Sequence, residues 1–400
     1  MKENINSQRR HILLGAAALS AGVLPAIAPG VAAAAAAEPL KVGLILPMSG
    51  PFASTGRQIE AAVKLYMQQY GAVAGGRAVE ILLKDDGGVS PDVTKRLAQE
   101  LVARDKVQVL AGFGLTPLAF AVAPVATQAK VPMIVMAAAT SVIPQRSPYI
   151  VRTGFTLAQV TAPMAQWAGK NKIKTVVTFV SDYGPGLDAE KVFVKGFTEG
   201  GGKVVDSLRA PLRNPDYAPF LARVKDLKPD ALFVFVPSGE GAALLKQFTD
   251  RGLAAAGVRL ICTGDVLDDD LMASIGPAAA GVVSSHHYSA AHPSAENKAY
   301  VEAFGKANKG MRPNFHSVGA YDGMHLLYQA LKQTAGDSNG DKLLAAMKGM
   351  AWTSVRGPVS IDAATRDIVQ TVYIRKAEAV GGAWFNVEFD QVEKVRDPGV

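Results

Sequence analysis

Short apolar segments alternate with amphipathic segments along most of the chain, and the alternation then starts a second time. The first series of predicted strands covers residues 41–47, 79–84, 107–112 and 133–136. The second series covers residues 175–180, 203–208, 231–236 and 259–263. Segments between the strands have helical spacing, and this alternation predicts parallel sheets with helices on both faces. The repeat therefore predicts an α/β chain with two similarly built lobes.

The remaining segments are predicted to add helices and a terminal hairpin. Helices are predicted over residues 163–170, 296–306 and 317–334. Strands are predicted over residues 370–376 and 384–389, paired around the glycines at 381 and 382. Residues 352–358 are predicted to form a break between elements.

The N-terminal 37 residues have the order of an export signal. Residues 1–11 are polar and basic, residues 12–28 are apolar, and a run of alanines ends at Ala37. This order predicts cleavage near Ala37 and a mature chain outside the cytoplasm. Arg9 and Arg10 resemble a twin-arginine signal, but Gln8 and Ile12 depart from its pattern, so the general secretory route stays open.

Composition and motifs exclude several functional classes. The net charge is +7, but the basic residues are scattered, whereas nucleic-acid binding requires a clustered basic face. The single cysteine, Cys262, excludes an intramolecular disulfide and a cysteine-based metal site, and its apolar surroundings are typical of a core thiol. Neither a Gly-x-Ser-x-Gly elbow nor a phosphate-binding loop is present. The sequence therefore does not predict an enzyme.

Ligands of open parallel sheets bind at the carboxyl ends of the strands, close to helix N-termini. This rule selects six loops that are rich in Ser, Thr, Gly and Pro, at residues 48–55, 112–117, 137–141, 181–186, 237–241 and 263–268. Their hydroxyls and backbone amides suit a carboxylate or another small polar group.

The histidines do not form a predicted metal site. His286 and His287 are adjacent, and neighbours on an extended chain point to opposite faces. His292, His316 and His325 lack the four-residue helical pairing of zinc proteases. The sequence therefore predicts no metal, and nothing in it indicates a cofactor.

The segment KVGLILPMSGPFASTG at residues 41–56 resembles the opening of periplasmic binding proteins of the leucine/isoleucine/valine type. These proteins are the extracytoplasmic receptors of ABC importers. Further similar segments lie at residues 82–102, 109–114, 123–134, 181–186 and 231–252. Their order and spacing carry the resemblance, which covers nearly all of residues 40–376.

The resemblance implies the type I periplasmic binding protein fold, with two lobes joined by three hinge crossings. The crossings are expected near residues 152–153, 283–285 and 356–358. Lobe 1 would then comprise residues 38–153 plus 285–356, and lobe 2 residues 154–284 plus 357–400. It also implies a monomer in the periplasm that delivers a small carboxylate or amino acid to the membrane permease of an ABC importer.

The family pattern also implies individual ligand-binding residues. Leu115 and Thr116, after the third strand, and the pair Ala139 and Thr140, after the fourth, would hold the ligand carboxylate. Tyr183 would close over the ligand from lobe 2. Each threonine could instead serve only as a helix N-cap.

Asp265 is the candidate partner for a ligand amino group, or alternatively a helix cap. The three aspartates that follow it, Asp268, Asp269 and Asp270, are expected to favour the start of a helix. An unpaired Asp265 in the cleft would repel a bare carboxylate and favour an ammonium group.

Departures from the family pattern bear on the ligand. Thr55 replaces an aromatic residue of the first loop, and Phe113 and Leu115 make the third-strand loop more apolar. The segment SSHHYS at residues 284–289 adds imidazoles and a phenol, and His287 or Tyr288 could bond a ligand oxygen. These features favour an aromatic acid such as a benzoate or cinnamate relative. A branched-chain amino acid, a sensor module of a signalling receptor and, more weakly, a hydrolase remain alternatives.

Overall fold

Two mainly parallel sheets organise residues 38–399, which are the residues that the computed structural model describes. The predicted export signal at residues 1–37 lies outside the described residues. The strands are β1 (Leu40–Leu46), β2 (Val73–Ala74), β3 (Arg77–Asp85), β4 (Val109–Gly112), β5 (Met133–Val135), β6 (Ile150–Arg152), β7 (Thr175–Ser181), β8 (Lys203–Ala210), β9 (Ala231–Phe235), β10 (Arg259–Thr263), β11 (Val283–His286), β12 (Ala351–Ser354), β13 (Gly357–Ile361), β14 (Ile368–Val380) and β15 (Ala383–Val395). The helices are α1 (Ala53–Tyr70), α2 (Pro91–Ala103), α3 (Thr116–Ala129), α4 (Leu157–Lys170), α5 (Gly184–Glu199), α6 (Ala218–Leu227), α7 (Gly241–Asp250), α8 (Met272–Ile275), α9 (Ala295–Ala307), α10 (Phe315–Gln333) and α11 (Gly340–Met347).

The two sheets repeat one strand order. The first sheet runs β2-β3-β1-β4-β5-β6, and the second contains β8-β7-β9-β10-β11 in the same relative order. All of these neighbours pair in parallel except β2 with β3. The strand order reverses between β1 and β4 in one sheet and between β7 and β9 in the other. Each sheet therefore has a switch point at which a crevice opens beyond the carboxyl ends of the strands. The predicted α/β class with two similar halves is confirmed.

The central strands are apolar because helices cover both of their faces. Every residue of β4 and β9 is buried. Helices α9, α10 and α11 come late in the chain but return to the first half of the fold, where α10 packs along α1. The C-terminal strands extend the second sheet, since β14 pairs antiparallel with β11, β13 and β15. The lobe boundaries given above remain a prediction.

Two local predictions are wrong. Residues 352–358 are not a break, because β12 and β13 form an antiparallel hairpin in which Ser354 pairs with Gly357. The positive φ of Gly357, 97°, explains how so short a turn can form. Helix α4 begins at Leu157 rather than at Pro163, which lies inside the helix. The Thr156 hydroxyl accepts a hydrogen bond from the Gln159 N–H and so caps the true start.

No helix among residues 38–399 combines the length and the apolar character needed to cross a membrane.

Candidate ligand-binding site

A cavity lies where loops of the two sheets face each other. Its volume, counted as the space open to the centre of a water-sized sphere, is about 30 Å³, so the cavity is narrow. Each of the six loops selected from the sequence contributes to it. The lining residues are Phe52, Thr55, Gly114, Leu115, Thr116, Ala137, Ala139, Phe155, Leu157, Tyr183, Pro185, Phe235, Pro237, Ser238, Asp265 and His316.

Both topological switch points open into this cavity. On the first sheet, Phe52 follows β1 and Leu115 follows β4. On the second sheet, Tyr183 follows β7 and Pro237 follows β9. The strand order alone thus explains why residues far apart in the sequence line one space.

One end of the cavity carries hydroxyls and helix N-termini. The Oγ1 atoms of Thr116 and Thr140 lie 2.9 Å apart and share a hydrogen bond. Thr116 is the first residue of α3, and Gly184 is the first residue of α5. Gly184 packs so closely that a Cβ atom added there would lie 2.6 Å from Thr140 Oγ1. Helix N-termini offer unpaired N–H groups and a positive partial charge, so this end suits a carboxylate.

Most of the cavity wall is apolar, and much of it is aromatic. Phe52 and Leu115 line it from the first sheet, and Tyr183 and Phe235 line it from the second. The rings of Tyr183 and Phe235 are stacked, with centroids 6.0 Å apart and planes inclined by 22°. Phe155, from the connection between β6 and α4, adds a further ring. Such walls suit an apolar or aromatic ligand body.

The other polar residues of the lining are Thr55, Ser238, Asp265 and His316, all buried. Asp265 Oδ2 lies 3.5 Å from Nε2 of His286, which is buried behind it. Burial lowers the pKa of both His286 and His316 to about 4, so both imidazoles are neutral at neutral pH. Sequence reasoning missed Phe155, Ser238 as an individual contact and His316. The one signal for His316 is Asn314, whose side chain caps the start of α10.

Three predicted residues do not line the cavity directly. Phe113 is fully buried, and its φ of 70° turns the chain from β4 toward Leu115. Thr140 reaches the site through its bond to Thr116. His287 is fully buried, with its ring centroid 5.0 Å from that of Phe155.

The prediction that His286 and His287 point to opposite faces is wrong. Their ring centroids lie 4.5 Å apart, because β11 ends at His286 and the alternation of the strand ends with it. Among the described residues, no group of three His, Cys, Asp or Glu side chains is arranged to hold a metal ion. Burial raises the pKa of the Cys262 thiol, as in an unreactive core cysteine.

The aspartates after Asp265 do not start a helix, contrary to the prediction. Helix α8 begins at Met272 with no acidic residue in its first turn. Asp268 accepts a hydrogen bond from Asn314 Nδ2 at 2.8 Å, and Asp270 accepts one from Ser54 Oγ at 2.8 Å. Partners on distant elements thus decide the positions of these carboxylates, and sequence reasoning could not identify those partners.

Several hydrogen bonds join elements of the first sheet to elements of the second around the cavity. Ser54, on α1, reaches Asp270, as described above. On another side, the backbone N–H of Ser141 donates to Asp188 Oδ2, on α5, at 3.0 Å. Burial, with a further contribution from the charge of Asp397, raises the pKa of Asp188 to about 6. These bonds can form only while the two sets of loops are close together.

Comparison with known proteins gives a consistent result. The sequence profile of a family described as periplasmic binding protein matches residues 39–382. The chain is 44% identical over 372 residues to a Brucella abortus (strain 2308) protein named Leu/Ile/Val-binding protein homolog 6, covering 92% of this chain and 95% of that protein.

Two solved structures are also similar. The first is a solute-binding protein of an ABC transporter from Rhodopseudomonas palustris BisB5 in complex with 3,4-dihydroxy benzoic acid. It is 58% identical with a TM-score of 0.88, covering 90% of this chain and 98% of that one. The second is an R. palustris ABC transporter solute-binding protein in complex with 4-hydroxybenzoate. It is 42% identical with a TM-score of 0.88, covering 90% of this chain and 99% of that one.

Proposed function

The chain belongs to the periplasmic binding protein family, and from this premise we propose that it captures an aromatic carboxylate for an ABC importer. The observation that carries the proposal is the cavity itself. It has aromatic walls, and at one end the Thr116 and Thr140 hydroxyls lie beside the N-termini of α3 and α5. The ligand carboxylate would bind at this end, and the ring would lie between the apolar walls.

The comparisons support this ligand class. Two similar solute-binding proteins hold hydroxylated benzoates. The family profile matches residues 39–382, which include both sets of cavity loops.

Capture by hinge closure is part of the proposal. The bonds from Ser54 to Asp270 and from Ser141 to Asp188 connect the two halves of the cavity wall. A ligand that contacts both halves would favour the conformation in which these bonds form. The permease would then recognise the closed form, and the protein would act as an exported monomer in the periplasm.

The test is isothermal titration of the mature, ligand-stripped protein with benzoate, 4-hydroxybenzoate and cinnamate, and separately with leucine, isoleucine and valine. We expect binding of aromatic acids and no detectable binding of the aliphatic amino acids. Thr116→Val, which removes the hydroxyl but keeps the side-chain shape, should weaken benzoate binding about tenfold because hydrogen bonds to a charged group contribute strongly. Thr334→Val is the control, because Thr334 lies at the C-terminal end of α10 and does not line the cavity. This variant should bind benzoate as tightly as the natural protein does.

A branched-chain amino acid is the second candidate. Asp265 places a carboxylate in the cavity wall, where an ammonium group could bind. The curated relative is also named a Leu/Ile/Val-binding protein homologue. Binding of leucine without benzoate would replace the first proposal with this one.

A further inference from the structure

Three polar atoms in the cavity wall have no hydrogen-bond partner among the described residues. They are Asp265 Oδ2, Ser238 Oγ and His316 Nδ1. The exposed fractions of these residues are 5%, 7% and 6%. All three residues line the cavity that contains Thr116 and the aromatic walls. A buried polar atom left unpaired destabilises the closed form, so the occupant of the cavity is expected to supply the missing partners.

We propose that Asp265, Ser238 and His316 form a subsite for a hydroxyl group on the ring of the bound aromatic carboxylate. This inference rests on the proposed function and specifies the substrate class of the same site. The ring hydroxyl donates a hydrogen bond to Asp265, and its oxygen accepts one from Ser238 or His316. A phenolic hydroxyl is both donor and acceptor, so one group satisfies atoms of both kinds.

The negative charge of Asp265 determines which substituent on the ligand ring can bind beside it. Asp265 would repel a second carboxylate on the ring. His286, at 3.5 Å, is neutral at neutral pH and does not cancel the aspartate charge. A ring methoxy group has no proton to donate and would leave Asp265 without a hydrogen bond from the ligand. The subsite thus requires a neutral donor, which a hydroxyl provides.

The experiment is isothermal titration at pH 7.5 of the natural protein and two variants with benzoate, 4-hydroxybenzoate and 4-methoxybenzoate. In the natural protein, 4-hydroxybenzoate should bind at least about tenfold more tightly than the other two acids, because its bond to a buried carboxylate is charge-assisted. In Asp265→Asn this preference should fall below about threefold, with benzoate binding retained. Thr116→Val is the matched control at the opposite end. It should weaken benzoate and 4-hydroxybenzoate by the same factor and leave their ratio unchanged.

The outcomes separate this inference from the proposed function. Equal affinity of the natural protein for benzoate and 4-hydroxybenzoate would overturn the hydroxyl subsite while leaving an aromatic-acid receptor. If 4-methoxybenzoate binds as tightly as 4-hydroxybenzoate, the proposed hydrogen bond from the ring hydroxyl to Asp265 is wrong. Binding of leucine with no binding of any aromatic acid would overturn the proposed function and assign Asp265 to an ammonium group. A thermal unfolding curve for each variant shows that it is folded.

Discussion

At the residue scale, the closest contact in the site is between Gly184 and Thr140. The absent side chain of Gly184 lets α5 approach the hydroxyl pair, since an added Cβ would lie 2.6 Å from Thr140 Oγ1 and 3.6 Å from Thr116 Cγ2. The glycine at this position therefore serves close approach across the cavity. Its importance is expected to show in ligand binding rather than in folding.

Gly184→Ala should weaken benzoate binding about tenfold or more, because the new methyl group displaces the Thr140 hydroxyl or holds the two halves apart. Isothermal titration measures the loss, and thermal unfolding should show little change. Gly169→Ala is the matched control: its added Cβ meets no atom closer than 3.8 Å, and alanine is favoured over glycine in helices. An unchanged affinity in Gly184→Ala would contradict the close approach described here.

Asp188 should make stability depend on pH. Its pKa is raised to about 6 in the folded protein, above the ordinary value of about 3.9. Between pH 4 and 6 the folded state therefore binds the extra proton, and the natural protein loses stability as pH rises through this window. The Asp188→Asn variant carries a neutral side chain, as the protonated natural protein does. Above pH 6 its free energy of unfolding should exceed that of the natural protein by up to about 1–3 kcal/mol, and near pH 4 the two should be almost equal.

Urea unfolding at pH 4, 5, 6 and 7 measures this gain. The exposed Ala255→Ser, which neither removes nor adds a titratable group, serves as control, and its difference in unfolding free energy from the natural protein should stay the same across the series. A gain from Asp188→Asn that is the same at every pH would show that Asp188 does not titrate in this range.

Individual site residues could be predicted where a general rule applied to them. Leu115, Thr116, Tyr183 and Asp265 lie in loops that follow strands of the repeated pattern, so the rule for parallel sheets selected their loops. The family resemblance then indicated the individual residues. His316 follows no strand. It enters the cavity from the first turn of α10, and no sequence rule connects that turn with residues some fifty positions earlier.

At the element scale, buried arginines hold the segments that join the two sheets. Arg152, at the end of β6, is fully buried, and its Nε lies 2.6 Å from Asp367 Oδ1. Its Nη1 donates to the Thr140 carbonyl oxygen at 2.9 Å. One side chain thus connects a strand end with a cavity loop and with the segment before β14.

Arg152→Met should lower the free energy of unfolding by about 3–5 kcal/mol, because Asp367 would be left buried without its partner. Urea unfolding measures the change. Lys64→Met is the matched control, since it breaks an exposed pair with Glu60 and should change stability by less than about 1 kcal/mol. Equal effects of the two substitutions would contradict a structural role for the buried pair.

Most elements could be predicted because their apolar patterns are long or uninterrupted. The strands of the two series fall within a few residues of their predicted positions, and the terminal β14–β15 hairpin forms as expected. The β12–β13 hairpin was missed because its strands are four and five residues long and the second strand begins with a glycine and a proline. Tertiary pairing with β14, rather than local preference, decides its structure.

At the scale of the whole molecule, the hydrogen bonds that join the two halves of the cavity wall predict a change in shape. Removal of the ligand should favour a more open conformation, because the contacts that a ligand makes with both halves are lost. Small-angle scattering of the stripped protein should give a larger radius of gyration than that of the protein saturated with benzoate. Identical radii would contradict capture by closure.

The sequence does not indicate which arginines and aspartates pair between elements, so the shape of the closed state could not be predicted from it.

The central claim is that an aromatic carboxylate binds with its carboxylate at Thr116, whose hydroxyl is hydrogen-bonded to that of Thr140. A crystal structure of the complex with 4-hydroxybenzoate tests it most directly. The account predicts carboxylate oxygens within hydrogen-bond distance of the Thr116 hydroxyl and N–H, with the ring between the walls formed by Leu115 and Phe235. A ligand bound in the reverse orientation or outside this cavity would contradict it.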